Sequence, residues 1–240
     1  MTTTRFGDPH EHHDLIDSTN RRAKELAAAG SPSGTVVTAS EQTAGRGRGG
    51  RRWSAPAGAA LLYSAILRPL DRSHLLLPLA VPLAVCDACE SVADVDCRIK
   101  WPNDVWLDRR KLGGVLIEAR PPEWAVIGIG INLATRPEQF PAELRWPAIS
   151  LGGGVTPERM RGAVDAALAR WVDAPGDRVL AEFRRRDALV GGAIGWQGEP
   201  ADGDRSGVAA GIDQRGNLLV RTGAGELVAL GSGEVQLKLR

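Results

Sequence analysis

The stretch Gly45-Arg46-Gly47-Arg48-Gly49-Gly50-Arg51-Arg52-Trp53 decides how the rest of the chain is read. Glycine leaves backbone N–H groups open to close approach and permits positive φ. Each arginine brings a planar, permanent charge suited to carboxylates and phosphates. Nothing here can bury apolar surface, so the segment alone is expected to be mobile. It reads either as a loop that closes over an anionic ligand or as a solvated basic loop of the kind that tethers RNA. Its neighbours bear on that choice. Residues 34–40 read as a buried strand, and residues 59–67 as the next one. The connection is too long for a tight hairpin, which favours a functional lid on a sheet-based fold.

Working outward, residues 15–17 read as a short strand. Ser18 is a natural helix cap and Gly30 a natural stop, so a helix is expected through Ala29. Ser18, Thr19 and Asn20 either cap this helix or let its N-terminus hold a polar ligand. Residues 75–92 form an apolar helical pattern in which Pro78 and Pro82 shift the start or kink the helix. Residues 97–101 read as a strand, 104–108 and 112–119 as a hairpin around Arg109-Arg110, and 124–133 as a very apolar, central strand. Two helices follow at 156–172, capped by Thr156 with Pro157 behind it, and at 177–189. The run Arg184-Arg185-Arg186 reads as a solvated face. From Gly191 the pattern changes to short strands at 193–197, 207–213, 217–221, 227–230 and 235–239, with a hairpin turn at 214–217. The chain thus reads as an α/β body, residues 1–190, carrying a small β-barrel, residues 191–240.

Composition bounds the function. With 43% hydrophobic and 25% charged residues the chain fits a globular protein with a substantial core. A net charge of +1 offers no global field for nucleic acid. The polar N-terminus shows no signal peptide, and the longest apolar run, 75–85, is too short to span a membrane. Cys86, Cys89 and Cys97 point to reduced thiols in the cytoplasm. The Cys86-x-x-Cys89 pair lies in an apolar helical pattern and reads as core, not as a zinc or redox centre. His10, His12 and His13 read as a frayed polar terminus in preference to a metal site. Lysine is scarce: Lys24, Lys100, Lys111 and Lys238 stand among 30 basic residues. Where lysine persists in so arginine-rich a chain, a compact ammonium is the expected need.

Further segments place polar or glycine residues at strand ends, where open sheets build sites. These are Glu41-Gln42-Thr43-Ala44, Lys100-Trp101-Pro102-Asn103-Asp104, Arg110-Lys111-Leu112-Gly113-Gly114 and Gly128-Ile129-Gly130-Ile131-Asn132. Together they set Arg46, Arg48, Lys100 and Lys111 against Asp104. No P-loop, no dinucleotide fingerprint and no GxSxG element is present, and no histidine falls in these segments. Chemistry that needs charge neutralisation more than a proton relay remains, and ATP-dependent activation of a carboxylate fits it.

The order Ser-Thr-Asn, Gln-x-x-Gly-Arg-Gly-Arg, Lys-Trp-Pro-Asn-Asp, Arg-Lys-Leu-Gly-Gly-Val-Leu-Ile-Glu and Gly-x-Gly-Ile-Asn resembles the biotin protein ligases. The likeness runs from about Asp14 to Leu133. It resumes near the C-terminus, where Gly211-Ile212-Asp213 and Gly233-Glu234-Val235 echo the family's SH3-like domain. It implies a mixed sheet flanked by helices, like the class II synthetases, with a small SH3-like barrel. It further implies that Ser18, Thr19, Asn20 and Gln42 line the biotin ureido end and ring. Gly45, Arg46, Gly47 and Arg48 would order over biotin, with Gly114 and Gly130 in the same pocket and Gly128 packing its backbone on the ligand. Trp53, Lys100, Asn103, Asp104 and Asn132 would contact ATP or the adenylate, Trp53 by stacking on adenine, unless it only anchors the far end of the loop. Lys111, Arg48 and Asp104 would carry catalysis, and Asp104 would meet Mg²⁺. The product, biotinyl-5′-AMP, would be attacked by a lysine of the biotin carboxyl carrier domain of acetyl-CoA carboxylase or a related enzyme. Two positions depart from the family: Gly49 stands where Arg is frequent, implying a floppier loop, and Lys238 where Arg is common. Too few residues precede the first strand for a winged helix, so no DNA binding is expected, while a homodimer through an edge strand is possible. The competing readings are a lipoyl or octanoyl ligase or transferase on the same scaffold, and an RNA-binding module using the Arg/Gly loop.

Overall fold

The computed structural model describes residues 4–144, 146–152, 154–197, 204–231 and 238–239. Nine strands and helices build the first half of the body: β1 (His10–Ile16), α1 (Thr19–Ala28), β2 (Val36–Gln42), β3 (Ala60–Leu67), α2 (Leu77–Val92), β4 (Arg98–Lys100), β5 (Asp104–Leu107), β6 (Arg110–Arg120) and β7 (Trp124–Asn132). The seven strands form one sheet in the order β1-β2-β3-β7-β6-β5-β4. β1 runs parallel to β2 and the remaining neighbours are antiparallel, so the sheet is mixed.

β7 sits at the centre, and all nine of its residues are buried. Its alternation feeds two layers. Ala125, Ile127, Ile129 and Ile131 face the main core with α2, α3 (Pro157–Trp171) and α4 (Gly176–Arg186). Trp124 and Val126 face the other way, where Ala23 and Ala27 of α1 cover them beside Val37 and Ile66. Gly128, Gly130 and Asn132 continue this second face beyond the cover of α1. The register sets Ser64 and Leu116 beside Gly128, and Leu62 and Gly114 beside Gly130. Glycine at three of these positions strips the sheet of side chains and leaves a hollow.

Several boundaries differ from expectation. β1 starts at His10, so the histidines are not a frayed terminus. His10 Nε2 and His12 Nδ1 each lie 2.8 Å from Thr38 Oγ1, because parallel pairing to β2 orders the strand. The β5–β6 turn is Asp108-Arg109, not Arg109-Arg110, and both residues adopt positive φ, 49° and 60°, as a two-residue hairpin requires. Residues 72–92 do reach membrane-spanning length and hydropathy, contrary to the sequence reading; most of the stretch is buried as the core helix of the fold. A capped 3₁₀ turn at Arg72–Leu76 precedes α2 and leaves Pro78 in the first helical turn, where its missing N–H costs no bond. Cys86, Cys89 and Cys97 are free and fully buried.

The basic run on α4 is not simply a solvated face. Arg186 is 4% exposed and pairs with Asp87, Glu90 and Glu182. Removing one member of such a buried cluster leaves uncompensated charge. Arg186→Met is therefore expected to cost about 3–5 kcal/mol, read as a lower midpoint in urea unfolding; an unchanged midpoint would contradict it.

The second sheet is antiparallel, in the order β11 (Leu227–Leu230), β10 (Leu218–Thr222), β9 (Asp204–Ile212), β8 (Ala193–Gln197) and β12 (Lys238–Leu239). Among the described residues the expected barrel strands form a small sheet that docks on the body, and of the expected strand 235–239 only residues 238–239 are described. Trp101 Nε1 donates to Gly216 O at 2.9 Å, and Ile194, Trp196, Leu218 and Val220 join the main core. The motif Gly233-Glu234-Val235 and the side chain of Lys238 lie outside the described residues.

Candidate active site

The hollow on the sheet is the floor of a cleft of about 750 Å³. α1 supplies one end. Ser18 caps this helix, accepting from Arg21 N at 3.4 Å, so Thr19 and Asn20 occupy its first turn. Thr19 donates through its backbone N–H (2.8 Å) and hydroxyl (3.1 Å) to Gln42 Oε1. Ser64 Oγ lies 2.8 Å from Thr19 Oγ1 and 2.6 Å from Asn20 Oδ1. Of Ser18-Thr19-Asn20, Ser18 thus caps the helix, and all three line the cleft.

The Arg/Gly stretch is not an open mobile loop. Gly47 N bonds Arg51 O at 2.7 Å and Trp53 N bonds Gly45 O at 3.0 Å, which closes a compact hairpin. Gly49 takes φ 63° at its tip, so glycine there suits a tight turn more than it loosens the segment. The missing apolar anchor is Trp53. Its indole lies directly over the floor: a Cβ on Gly130 would come within 2.4 Å of it, and one on Gly114 within 3.4 Å. The indole N–H is buried and finds no acceptor among the described residues. Arg46, Arg48, Arg51 and Arg52 line the cleft, and Arg48 donates to Asn103 Oδ1 at 3.2 Å.

Opposite the hairpin stands Lys111. Leu112 and Val115 both enter the main core although three positions apart, and pairing of β5 with β6 slips at this point. The bulge turns Lys111 to the same side as Gly114. Its Nζ lies 2.6 Å from Asp104 Oδ1 and 5.6 Å from the Trp53 ring. Lys100 Nζ is 3.8 Å from the other oxygen of Asp104 and 5.1 Å over Trp146. Lys100 thus props Asp104 from behind and is not among the side chains that line the cleft. Asn132 is 4% exposed, and its amide donates to Ile149 O at 3.1 Å.

Sequence reasoning missed part of the wall. Phe140, Leu144, Trp146 and Ala148 line the cleft from a segment that carries no motif. Lys111 holds that segment by backbone bonds to Pro147 O (2.7 Å) and from Ile149 N (3.0 Å). Ser64 was also missed; the one available signal was a hydroxyl inside an otherwise apolar strand.

Comparison with known proteins agrees with this geometry. Residues 13–132 match the biotin/lipoate A/B protein ligase family, and residues 201–238 match the biotin protein ligase C-terminal domain. Fold and cleft together therefore define a protein of the biotin/lipoate ligase class. The chain is 34% identical over 238 residues to the bifunctional ligase/repressor BirA of Bacillus subtilis, covering 94% of this chain and 73% of that protein. It is 34% identical over 233 residues to the biotin–[acetyl-CoA-carboxylase] ligase of Mycobacterium tuberculosis, covering 91% and 85%. The biotin protein ligase from Aquifex aeolicus, solved with biotin and ATP, superposes with a TM-score of 0.81 at 28% identity, covering 98% of this chain and 100% of that one. Within the class, the chain belongs to the biotin protein ligase family.

Proposed function

We propose that this protein activates biotin with ATP to biotinyl-5′-AMP and transfers the biotinyl group to a lysine of a biotin carboxyl carrier domain. The observation that carries the reading is Lys111, fixed by Asp104 where the bare glycine floor meets the arginine hairpin. Biotin lies along the cleft floor with its ring toward Thr19, Asn20 and Gln42, and its carboxylate toward Lys111. The carboxylate oxygen attacks the α-phosphorus and pyrophosphate leaves. The main barrier is repulsion between anions, and Lys111, Arg46 and Arg48 oppose it with cations positioned in advance. The carrier lysine then attacks the acyl carbon and AMP leaves. Trp53, Asn103, Asp104 and Asn132 face the nucleotide, and the hairpin keeps water from the mixed anhydride. Lys100 serves this side through Asp104.

Magnesium accompanies ATP in this reading. Among the described residues no group of three or more His, Cys, Asp or Glu side chains can hold a metal. Asp104, already paired with two ammonium groups, fits a resident ion poorly, so its assignment as a magnesium ligand is set aside and no step runs through the ion. The cytoplasm suits three unpaired thiols. We also infer a homodimer through the outer edge of β1, which a size measurement tests.

Biotin-dependent exchange of labelled pyrophosphate into ATP tests the central reading, with lipoate and octanoate in parallel. Exchange with biotin alone is expected. Exchange with lipoate instead would move the chain to the sister branch of its class. No exchange with any acid, together with steeply salt-dependent RNA binding, would favour the tether.

A further inference from the structure

Glu118 closes the motif that begins at Arg110-Lys111, and the chemistry above does not use it. It lies on β6 opposite Val126, on the cleft face but beyond the floor. One oxygen accepts Asn20 Nδ2 at 3.0 Å, and the other accepts Lys24 Nζ at 2.6 Å. Lys24 and Asn20 stand one turn apart on α1, so a single helix face delivers both to the same carboxylate. Lys24 is also one of the few positions where this arginine-rich chain keeps lysine.

A carboxylate can only accept hydrogen bonds, whereas an amide has a donor end and an acceptor end. Glu118 therefore decides which way Asn20 points. The amide NH₂ turns to Glu118, with Leu116 O as a second acceptor at 3.4 Å. Asn20 Oδ1 then faces Ser64 Oγ at 2.6 Å, inside the sheet, and takes the one proton that Ser64 has. Ser64 Oγ is left as an acceptor 2.8 Å from Thr19 Oγ1, whose one hydroxyl proton is shared between it and Gln42 Oε1 at 3.1 Å. Polarity is thus transmitted from a half-buried ion pair to the hydroxyl groups at the cleft. Burial raises the Glu118 carboxyl, but its bonds from Lys24 and Asn20 outweigh this and hold it below its ordinary value, so it remains an acceptor at neutral pH.

We infer that Glu118, held by Lys24, is a positioning residue that sets the polarity of the Asn20–Ser64–Thr19 chain and so favours a ring bearing N–H groups over one without them. The inference rests on the biotin reading. With the chain polarised in this direction, oxygen lone pairs are offered to the ligand. A ureido N–H satisfies them, while a dithiolane ring such as that of lipoate leaves a buried acceptor unpaired, and sites of this kind discriminate strongly.

Pyrophosphate exchange at varied biotin and ATP, with thermal melts, tests it on the full chain. Glu118→Gln keeps the shape but adds donors, so the Asn20 amide can turn over. It is expected to raise the KM for biotin about tenfold, leave kcat and the KM for ATP within about twofold, and lower the preference for biotin over lipoate. Lys24→Met is expected to show the same pattern at about threefold, and Glu118→Gln to add nothing in an Asn20→Ala background, since both act through one side chain. Equal changes in the biotin and ATP constants, an unchanged biotin KM in either single variant, or full additivity with Asn20→Ala would overturn the inference. A wild-type chain that shows no exchange with biotin removes the underlying reading instead.

Discussion

Lys111→Ala is expected to slow biotin-dependent pyrophosphate exchange by about 10²–10³-fold, the usual loss when one preorganised stabilising group is removed from a reacting centre. Biotin binding should fall much less. The cleft holds several arginines, so net positive charge is not what the variant lacks. Lys111 differs from them in being rooted in the sheet, with backbone bonds on both sides and its ammonium held 2.6 Å from Asp104. The arginines sit on a hairpin outside the sheet. Deleting Lys111 also leaves Asp104 facing the reacting anions without its nearest cation, since Lys100 stands 3.8 Å away. Lys111→Arg should recover little, because a planar fork cannot replace a compact ammonium in the gap between Asp104 and Trp53. The check is to measure kcat for exchange beside the Kd for biotin. Equal loss in both would assign Lys111 to binding alone.

Gly128→Ala should weaken biotin binding by about 10- to 10²-fold while the chain still folds. A methyl group there would sit 2.1 Å from Asn20 Oδ1 and 2.7 Å from its Cγ. Asn20 cannot retreat freely, since it is 5% exposed and tied to Ser64 and Glu118. The strain, about 1–3 kcal/mol for an overpacked site, falls on the side chain that orients the ring. Gly130→Ala makes a useful contrast. Its methyl meets the Trp53 indole at 2.4 Å, but Trp53 ends a surface hairpin and can swing aside. That variant should bind biotin nearly normally and lose nucleotide affinity. Calorimetry of each ligand on both variants separates the two; normal biotin affinity in Gly128→Ala would sink the argument.

The same two glycines show what could be read in advance. Gly128-Ile129-Gly130-Ile131-Asn132 was legible as glycine and polar residues at the end of an apolar strand, where open sheets build sites, while packing of its glycines against a ligand was implied only by the family resemblance. Helix α1 with its Ser18 cap, the central β7, Thr156 ahead of α3 and the short strands after Gly191 were legible for similar reasons, because capping and periodicity act over a few residues. The basic hairpin was legible as chemistry but not as conformation. Its order depends on Trp53 reaching a floor that belongs to β6 and β7.

By itself, then, the sequence determined the order of elements, the glycine and polar residues at the strand ends and the cations among them. Tertiary structure alone decided what those groups touch. Lys111 faces the cleft only because a bulge at Leu112 turns the strand. Arg186 is buried because three carboxylates from α2 and α4 converge on it, where a local reading sees only a charged run. The wall around Trp146 has no periodic or polar signature and is held by backbone bonds to Lys111. Lys24 meets Glu118 across 94 positions of chain. Such pairings arise from strand register and helix placement, which short-range residue preferences do not encode, and they set the direction in which each functional group can donate or accept.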